Sequence, residues 1–396
     1  MSSSSELLPV GRRVAYWRGR RKLSQQVFAD RLGRSKSWVD KIERGVRSLD
    51  KVSTLREIAA VLRIDTAVLL GRDAQPAAIT ERAECVDRIR AALSAYQIGP
   101  PGRGPVLPAD RLARDVEHAW VMFQHARYPQ VAAVVPGLLA GGPRVVDDGW
   151  GRPLLLEAYR LTASLLVKLG EAELGWLAAD RAMAAATGDP VSVAAATVQL
   201  GQVFRASGRA REAQSATLAA AYRIAPPDPA GGAPGELSLC GTLLVQAALA
   251  AARRGDEHAT ADLIDEAAGM AARVGEGHDH HRTAFGPTAV DLARAAAALD
   301  LGDANEAIVW HEQTTRRDAW RWLPVEHRAA HLVDAARAYL QADDPASAGR
   351  VLVDADRLAP AEVRQRPVAR EVLAQAARDP RAPATIVQLA AALGVS

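Results

Sequence analysis

The sequence predicts an all-α protein, and three observations predict it. From Ala109 onward, apolar residues recur at three- and four-residue spacing, and no stretch alternates with period two as a half-buried strand would. Of the 396 residues, 49% are hydrophobic but only 5% aromatic. Much of the apolar content is therefore alanine, which has the best helix propensity and lets helix axes approach closely. The third observation is a unit that recurs along the C-terminal part: an apolar helix end, a short polar turn, then an Ala-containing amphipathic helix.

Taken in order, residues 1–8 are Ser-rich and read as a disordered start. Val10 to Lys22 form a first helix, with Val14 and Trp17 inward and Arg12, Arg13, Arg20 and Arg21 outward. Leu23 to Arg47 (LSQQVFADRLGRSKSWVDKIERGVR) reads as two short helices joined by a tight turn. Ser24 is placed to cap the first, since its hydroxyl can accept an otherwise unpaired amide of the first turn. Val27, Phe28 and Leu32 recur at helical spacing, and Gly33 ends the helix because glycine enters the left-handed region at least cost. Ser35 caps the next helix, anchored by Val39 and Ile42. Its remaining positions, Lys36, Ser37, Trp38, Asp40, Lys41 and Arg44, are polar, charged or amphipathic. A short helix with so narrow an anchor and so polar an outer face suits the major groove of DNA. Leu49 to Leu62 and Asp65 to Leu70 give two more helices.

Residues 10–71 resemble the Cro/cI-type (XRE) helix-turn-helix family. The matching positions are Leu23, Ser24, Gln25, Phe28, Ala29, Gly33, Ser35, Val39, Ile42, Glu43 and Gly45, at the family's fixed offsets. The resemblance implies a five-helix domain in which Lys36, Ser37 and Lys41 read base edges, a lysine there donating to guanine O6 and N7. It places Gln25, Ser35, Trp38 and Arg44 at positions that contact phosphates, which set register rather than sequence. Trp38 departs from the small polar residue common at its place. Arg18 and Glu43 match a buried ion pair that ties the first helix to the third.

Charge follows the same division. Residues 1–72 hold 16 Lys+Arg against 7 Asp+Glu, a net +9, while the whole chain is +3, so the remainder carries −6. A phosphate backbone would draw its salt-dependent affinity from such a concentration.

A main boundary is expected between residues 73 and 108, with 1–72 as the DNA-binding domain and 109–396 as a repeat domain. Between them lie a linker and one amphipathic helix, Thr80 to Tyr96, followed by the Pro/Gly-rich IGPPGRGPVLP at 98–108. The repeats are 165–183, 204–221, 249–268, 296–314 and 336–356. Their turn glycines, Gly170, Gly208, Gly255 and Gly302, lie 38, 47 and 47 residues apart, and Asp343-Asp344 fills the fifth turn. Pro190, Pro226 and Pro360 follow the second helix of three units and end it. Period and content point to an α-solenoid. The unit Val193 to Pro226 resembles the tetratricopeptide repeat through Leu200, Gly201, Phe204, Gly208, Ala213, Ala220 and Pro226.

The segment HRTAFGPTAV (281–290), with LPVEHRAAHLVDAARAY and LAPAEVRQRP further on, resembles a large group of actinobacterial XRE-type regulators. That group usually has Asn after the FGPT block, where Ala289 stands here. On the inner faces of a solenoid, Gln199, Gln202, Arg205, Gln246 and Arg253 are candidate effector contacts. Arg282 and Thr288 join them from the FGPT region, where exposed helix-start amides can hold an anion.

Enzyme chemistry is not expected: the sequence has no nucleotide-binding glycine loop, Ser/His/Asp signature, HExxH or CxxC. His278, Asp279, His280 and His281 are metal-ligating types, but neighbours on one loop lack the distant partners of a closed site, and no metal or cofactor is expected. Two distant cysteines, Cys85 and Cys240, make no disulfide framework. No secretory h-region is seen, and no apolar run approaches about 18 residues. The sequence therefore predicts a cytoplasmic transcriptional regulator that binds a double-stranded DNA operator as a homodimer. Its solenoid would sense a peptide, protein or small molecule. The alternative is an interaction scaffold with a weak, sequence-indifferent DNA tether.

Overall fold

The computed structural model describes residues 10–47, 49, 52–62, 64, 69, 77–95, 108–141, 151–186, 188–227 and 231–395. It is all-α, with no strand among these residues. The Ser-rich start, most of the expected Asp65–Leu70 helix and nearly all of the Pro/Gly-rich 98–108 break lie outside them. The chain divides into two compact units, Met1–Thr80 with Ala391–Gly394, and Glu81–Ala390 with Val395–Ser396.

The first unit contains α1 (Val10–Arg20), α2 (Gln25–Arg31), α3 (Lys36–Glu43) and α4 (Val52–Leu62). Its core joins Val14, Phe28, Ala29, Val39, Ile58, Ala59, Leu62 and Leu69. Both short helices are capped as their sequences dictate. Ser24 Oγ accepts from the Val27 amide and Ser35 Oγ from the Trp38 amide, each at 3.2 Å. Gly33 takes φ +61° just past the end of α2.

Two side chains depart from the sequence reading. Arg13, expected outward, is buried, and its Nε donates to the Leu69 carbonyl at 2.6 Å. One residue before Val14, it lies at the edge of the buried stripe, and a carbonyl acceptor makes its burial tolerable. Val27, expected in the apolar stripe, is 42% exposed, because α2 has only seven residues and Phe28 and Ala29 already fill its inner face.

The second unit takes in all but the first turn of α5 (Ala77–Ser94), then α6 (Ala109–Gln124) and α7 (Tyr128–Gly141). The stripe Cys85, Ile89 and Leu93 enters one core with Leu112, Trp120 and Tyr128, so α5 shares the core of α6 and α7. Arg82 adds an ion pair to Glu171 at 3.0 Å.

Five helix pairs follow: α8 (Gly151–Lys168) with α9 (Ala172–Ala185), α10 (Pro190–Ala206) with α11 (Ala210–Ile224), α12 (Pro234–Ala252) with α13 (Glu257–Val274), α14 (Pro287–Leu301) with α15 (Ala304–Thr315), and α16 (Val325–Gln341) with α17 (Pro345–Leu358). Each pair turns at a residue with positive φ: Gly170 +76°, Gly208 +73°, Gly255 +72°, Gly302 +93° and Asp343 +58°. Asp343 thus performs the glycine's task. In the last three pairs the next residue is Asp256, Asp303 or Asp344, whose carboxylate accepts an amide of the second helix at 3.1, 2.9 and 2.9 Å. Pro190 and Pro360 do more than end a helix, since each takes the first position of the next one, where a missing N–H costs nothing.

Helix α12 is 19 residues long and, on length and composition alone, apolar enough to cross a membrane. Glu236, Ser238 and Gln246 interrupt it, so it is no unbroken apolar run. Here α12 is a core helix, most of it buried against its neighbours.

The repeats do not run out as an open spiral. After α17 come α18 (Pro360–Arg364), α19 (Pro367–Arg378) and α20 (Ala384–Ala392), and the start of this segment returns to α8. Lys168 pairs with Glu326 on α16 and, at 2.8 Å, with Glu362 on α18. Gly170 meets the ring of Pro367, where a Cβ would come within 2.7 Å of Cγ. Tyr128 donates its hydroxyl to the fully buried Glu362. The first helix of each pair faces inward, and the array closes into a ring.

Candidate nucleic-acid interface and inner cavity

In the first unit, α3 is held from behind and bare in front. Val39, Ile42 and Glu43 are buried, while Lys36, Ser37, Lys41 and Arg44 are exposed. The backing is close: a Cβ on Gly11 would fall 2.0 Å from the Ile42 carbonyl oxygen, so only glycine lets α1 lie on α3 at this point. Arg18 on α1 grips Glu43 on α3 through two bonds, Nε to Oε1 at 2.6 Å and Nη2 to Oε2 at 3.0 Å, and its Nη1 donates to the Leu23 carbonyl at 2.7 Å.

The positions matched to phosphate contacts divide by environment. Gln25 turns its amide nitrogen inward to Glu43 Oε2 at 2.8 Å, so its side chain braces α2 against α3. Ser35 spends its oxygen on the cap, and Arg44 pairs with Asp40 one turn back. Trp38 is partly buried on the core, with the Arg34 guanidinium 5.5 Å from its ring. The face that remains for a ligand is the polar edge of α3, cationic at Lys36 and Lys41.

In the second unit, the inner helices surround a cavity of about 540 Å³. It is lined by Gln199, Gln202, Arg205, Gln246, Arg253 and Arg282, the inner-face positions picked out by helical spacing and by the FGPT region. Thr288 stands apart from it. Its amide and hydroxyl both donate to Glu276 Oε1, at 2.8 and 2.7 Å, so this helix-start amide is already taken by a carboxyl group of the chain itself. Phe285 of the FGPT block lies on Gly241, where any Cβ would meet its ring at 2.1 Å, and so forms part of the cavity wall. Ala289 lines the same wall.

Polar groups in this cavity are fixed by neighbours. Gln199 Oε1 accepts from Arg160 Nε at 2.9 Å, and Gln246 Oε1 from Arg205 Nη2 at 2.7 Å. Arg253 donates to the Arg205 carbonyl at 2.7 Å and pairs with Asp300 at 3.2 Å. Burial, with Arg253 nearby, lowers the Arg205 pKa to about 10. His331, also in the lining, shares one hydrogen bond with His311 behind it, between Nε2 and Nδ1, at 3.0 Å. Burial, with His311 adding to it, drives the His331 pKa down to about 3, so both rings are neutral near pH 7.

Trp120 and the histidine pair escaped the sequence reading. Their elements lie far apart in the chain, and only closure of the ring brings α6 and α16 to one cavity. The loop His278–His281 is held through Asp279, which accepts from Gln124 and from the Ala284 amide, at 2.7 and 2.9 Å. Among the described residues no group of three His, Cys, Asp or Glu side chains could hold a metal ion.

Residues 9–70 match the family described as a helix-turn-helix domain. The match covers the two capped helices and the Arg18–Glu43 pair. No curated protein matches the chain. Two solved structures are similar in part. One is PlcR of Bacillus thuringiensis in complex with the peptide PapR7 and DNA, at 14% identity over 78% of this chain and 99% of that one, with a TM-score of 0.35. The other is ComR from S. thermophilus in complex with DNA and its signalling peptide ComS, at 14% identity over 82% of this chain and 99% of that one, with a TM-score of 0.26. At those scores neither fixes a property of this chain.

Proposed function

We propose that this protein is a sequence-specific, DNA-binding transcriptional regulator whose helical repeat unit senses an effector. The observation that carries the reading is the build of α3 in the helix-turn-helix domain. The helix is braced by Glu43 and Ile42 and capped by Ser35, and its outer edge offers Lys36, Ser37 and Lys41 to bases. A preset helix of this kind meets the major groove without first being ordered, and the two lysines can each approach guanine O6 and N7.

The reading takes the protein as a homodimer on a two-fold operator, with half-sites about one helical turn, 34–36 Å, apart. The inner cavity takes the effector, a peptide, protein segment or small molecule. Regulation then requires that the effector bind the DNA-competent and incompetent arrangements with different affinity. The cavity's tetratricopeptide-like frame and its position on the inner helices support this role.

The test is selection of fragmented genomic DNA on the purified full-length protein, followed by sequencing. The expected result is a shared palindromic site whose enrichment is lost in the Lys36→Ala/Lys41→Ala double variant. Enrichment of all DNA alike, steep in salt and unchanged in that variant, would replace this reading with the scaffold one.

A further inference from the structure

The inner cavity has a directional surplus: two carboxylates, Glu326 and Asp334, face the cations Lys168, Arg205, Arg253, Arg282 and Arg366 in its lining. Because Arg160 and Arg205 can only donate, Gln199 and Gln246 must turn their carbonyl oxygens toward them. What the two glutamines have left is an amide NH₂ each. Trp120, 2% exposed and lining the cavity, has an indole N–H with no hydrogen-bond partner. Arg205 also has a buried Nε without a partner. Buried donors left unpaired are costly and rare, and two on one cavity point to a missing acceptor.

Charge identifies the kind of acceptor. Lys168, Arg253, Arg282 and Arg366 each have a carboxylate within ion-pair distance. Arg205 has none within that distance among the described residues: Asp300 and Asp334 act on it only from farther off, and its direct bond is to the neutral Gln246. The same lining also includes the apolar side chains of Phe123, Val198, Val245, Leu249, Phe285 and Leu292.

We infer that the cavity binds a carboxylate carried on an apolar body, with the carboxylate on Arg205 and the indole N–H of Trp120 and the apolar part against the Phe285–Leu249 wall. This assignment rests on the effector reading of the repeat unit. Arginine meets a carboxylate through two parallel N–H bonds, which a neutral group of the same shape cannot reproduce. Two sources carry that chemistry, a free apolar acid and the apolar C-terminus of a short peptide.

The experiment titrates the full-length protein by calorimetry and by tryptophan fluorescence, with two matched pairs of probes: decanoate against decanol, and the peptide AAVL against its C-terminal amide. DNA retention on the selected operator is measured in the same samples. Within at least one pair, the acid is expected to bind about ten- to hundredfold tighter than its neutral partner. That preference is expected to disappear in Arg205→Gln and to weaken severalfold in Trp120→Phe, which removes the N–H and keeps an aromatic ring in place. The pair that responds names the source.

Equal binding of acid and neutral partner in both pairs, or no binding of either acid, overturns the assignment. So does an Arg205→Gln protein of unchanged melting temperature that keeps the preference. If Arg205→Gln loses its folding transition, Trp120→Phe carries the same comparison. Failure of the acids with operator retention intact removes the ligand class and leaves the regulator standing, whereas failure of operator selection itself removes the regulator.

Discussion

Arg18 and Glu43 lock α1 to α3 through two hydrogen bonds, one to each carboxylate oxygen, and Gln25 from α2 adds a third to the same carboxylate. Three helices of the first unit therefore converge on one acidic side chain. Removing the acid would leave a mostly buried guanidinium with only the Leu23 carbonyl. Glu43→Ala is expected to lower stability by about 3 kcal/mol, and Gln25→Ala, which removes one bond of three, by about 1 kcal/mol. Chemical denaturation of the full-length variants, followed by hydrogen exchange in α3, checks both. Equal losses in the two would refute the hierarchy.

Gly11→Ala is expected to be more harmful than a methyl group suggests. The new Cβ would face a backbone carbonyl, which cannot rotate away as a side chain would. Overpacking of this kind costs about 1–3 kcal/mol. The only relief is for α1 to lift from α3, so operator affinity should fall with stability. A variant that melts normally and binds normally would show that α1 and α3 are not held as closely as described.

The His311–His331 pair sets a pH dependence whose sign is fixed. Burial depresses the His331 pKa in the folded chain to about 3, against the ordinary 6.5. Above about pH 6.5 neither state of the chain protonates it. Below that, the unfolded chain takes up a proton that the folded chain refuses, so stability falls as pH drops from 6.5 toward 3, by at most about 1.4 kcal/mol per unit for this one group. His331→Gln is expected to flatten part of that slope in thermal melts between pH 7 and pH 4. An unchanged slope would place the acid sensitivity elsewhere.

Glu362 tests closure of the ring. Burial alone would raise its pKa, but Lys168 and Arg366 beside it more than reverse that and hold it ionised below the usual carboxylate range. Glu362→Gln would leave Lys168 with Glu326 alone, take the carboxylate from Arg366 and weaken the tie to Tyr128. A loss of about 3 kcal/mol is expected, with hydrogen exchange rising at both α8 and α18. Faster exchange confined to α18 would mean that the ends of the array are independent.

Much of this architecture was legible because it is local. Ser24 and Ser35 announce helix starts, and the turn glycines announce the repeats, since both signals depend on the backbone within a few residues. Asp343 was legible as a turn but not as a left-handed residue, because sequence order does not show which of two aspartates carries the positive φ. Inner-face positions such as Gln199 and Arg205 followed from helical spacing. Thr288 did not fit that pattern of exposure, because Glu276, twelve residues earlier, returns to occupy its amide. Burial of Arg13, the Trp120 donor and the His311–His331 contact depend on partners brought together only by the tertiary fold.

Closure of the array also constrains how this protein can change over generations. An open solenoid gains or loses a repeat at its end with little disturbance, since each repeat touches only its neighbours. Here Lys168 near one end meets Glu362 near the other, so the circumference is set. A duplicated repeat would have no seat unless the two ends were prised apart. Diversification is thereby steered from lengthening the chain to exchanging side chains on the inner wall, one helix at a time.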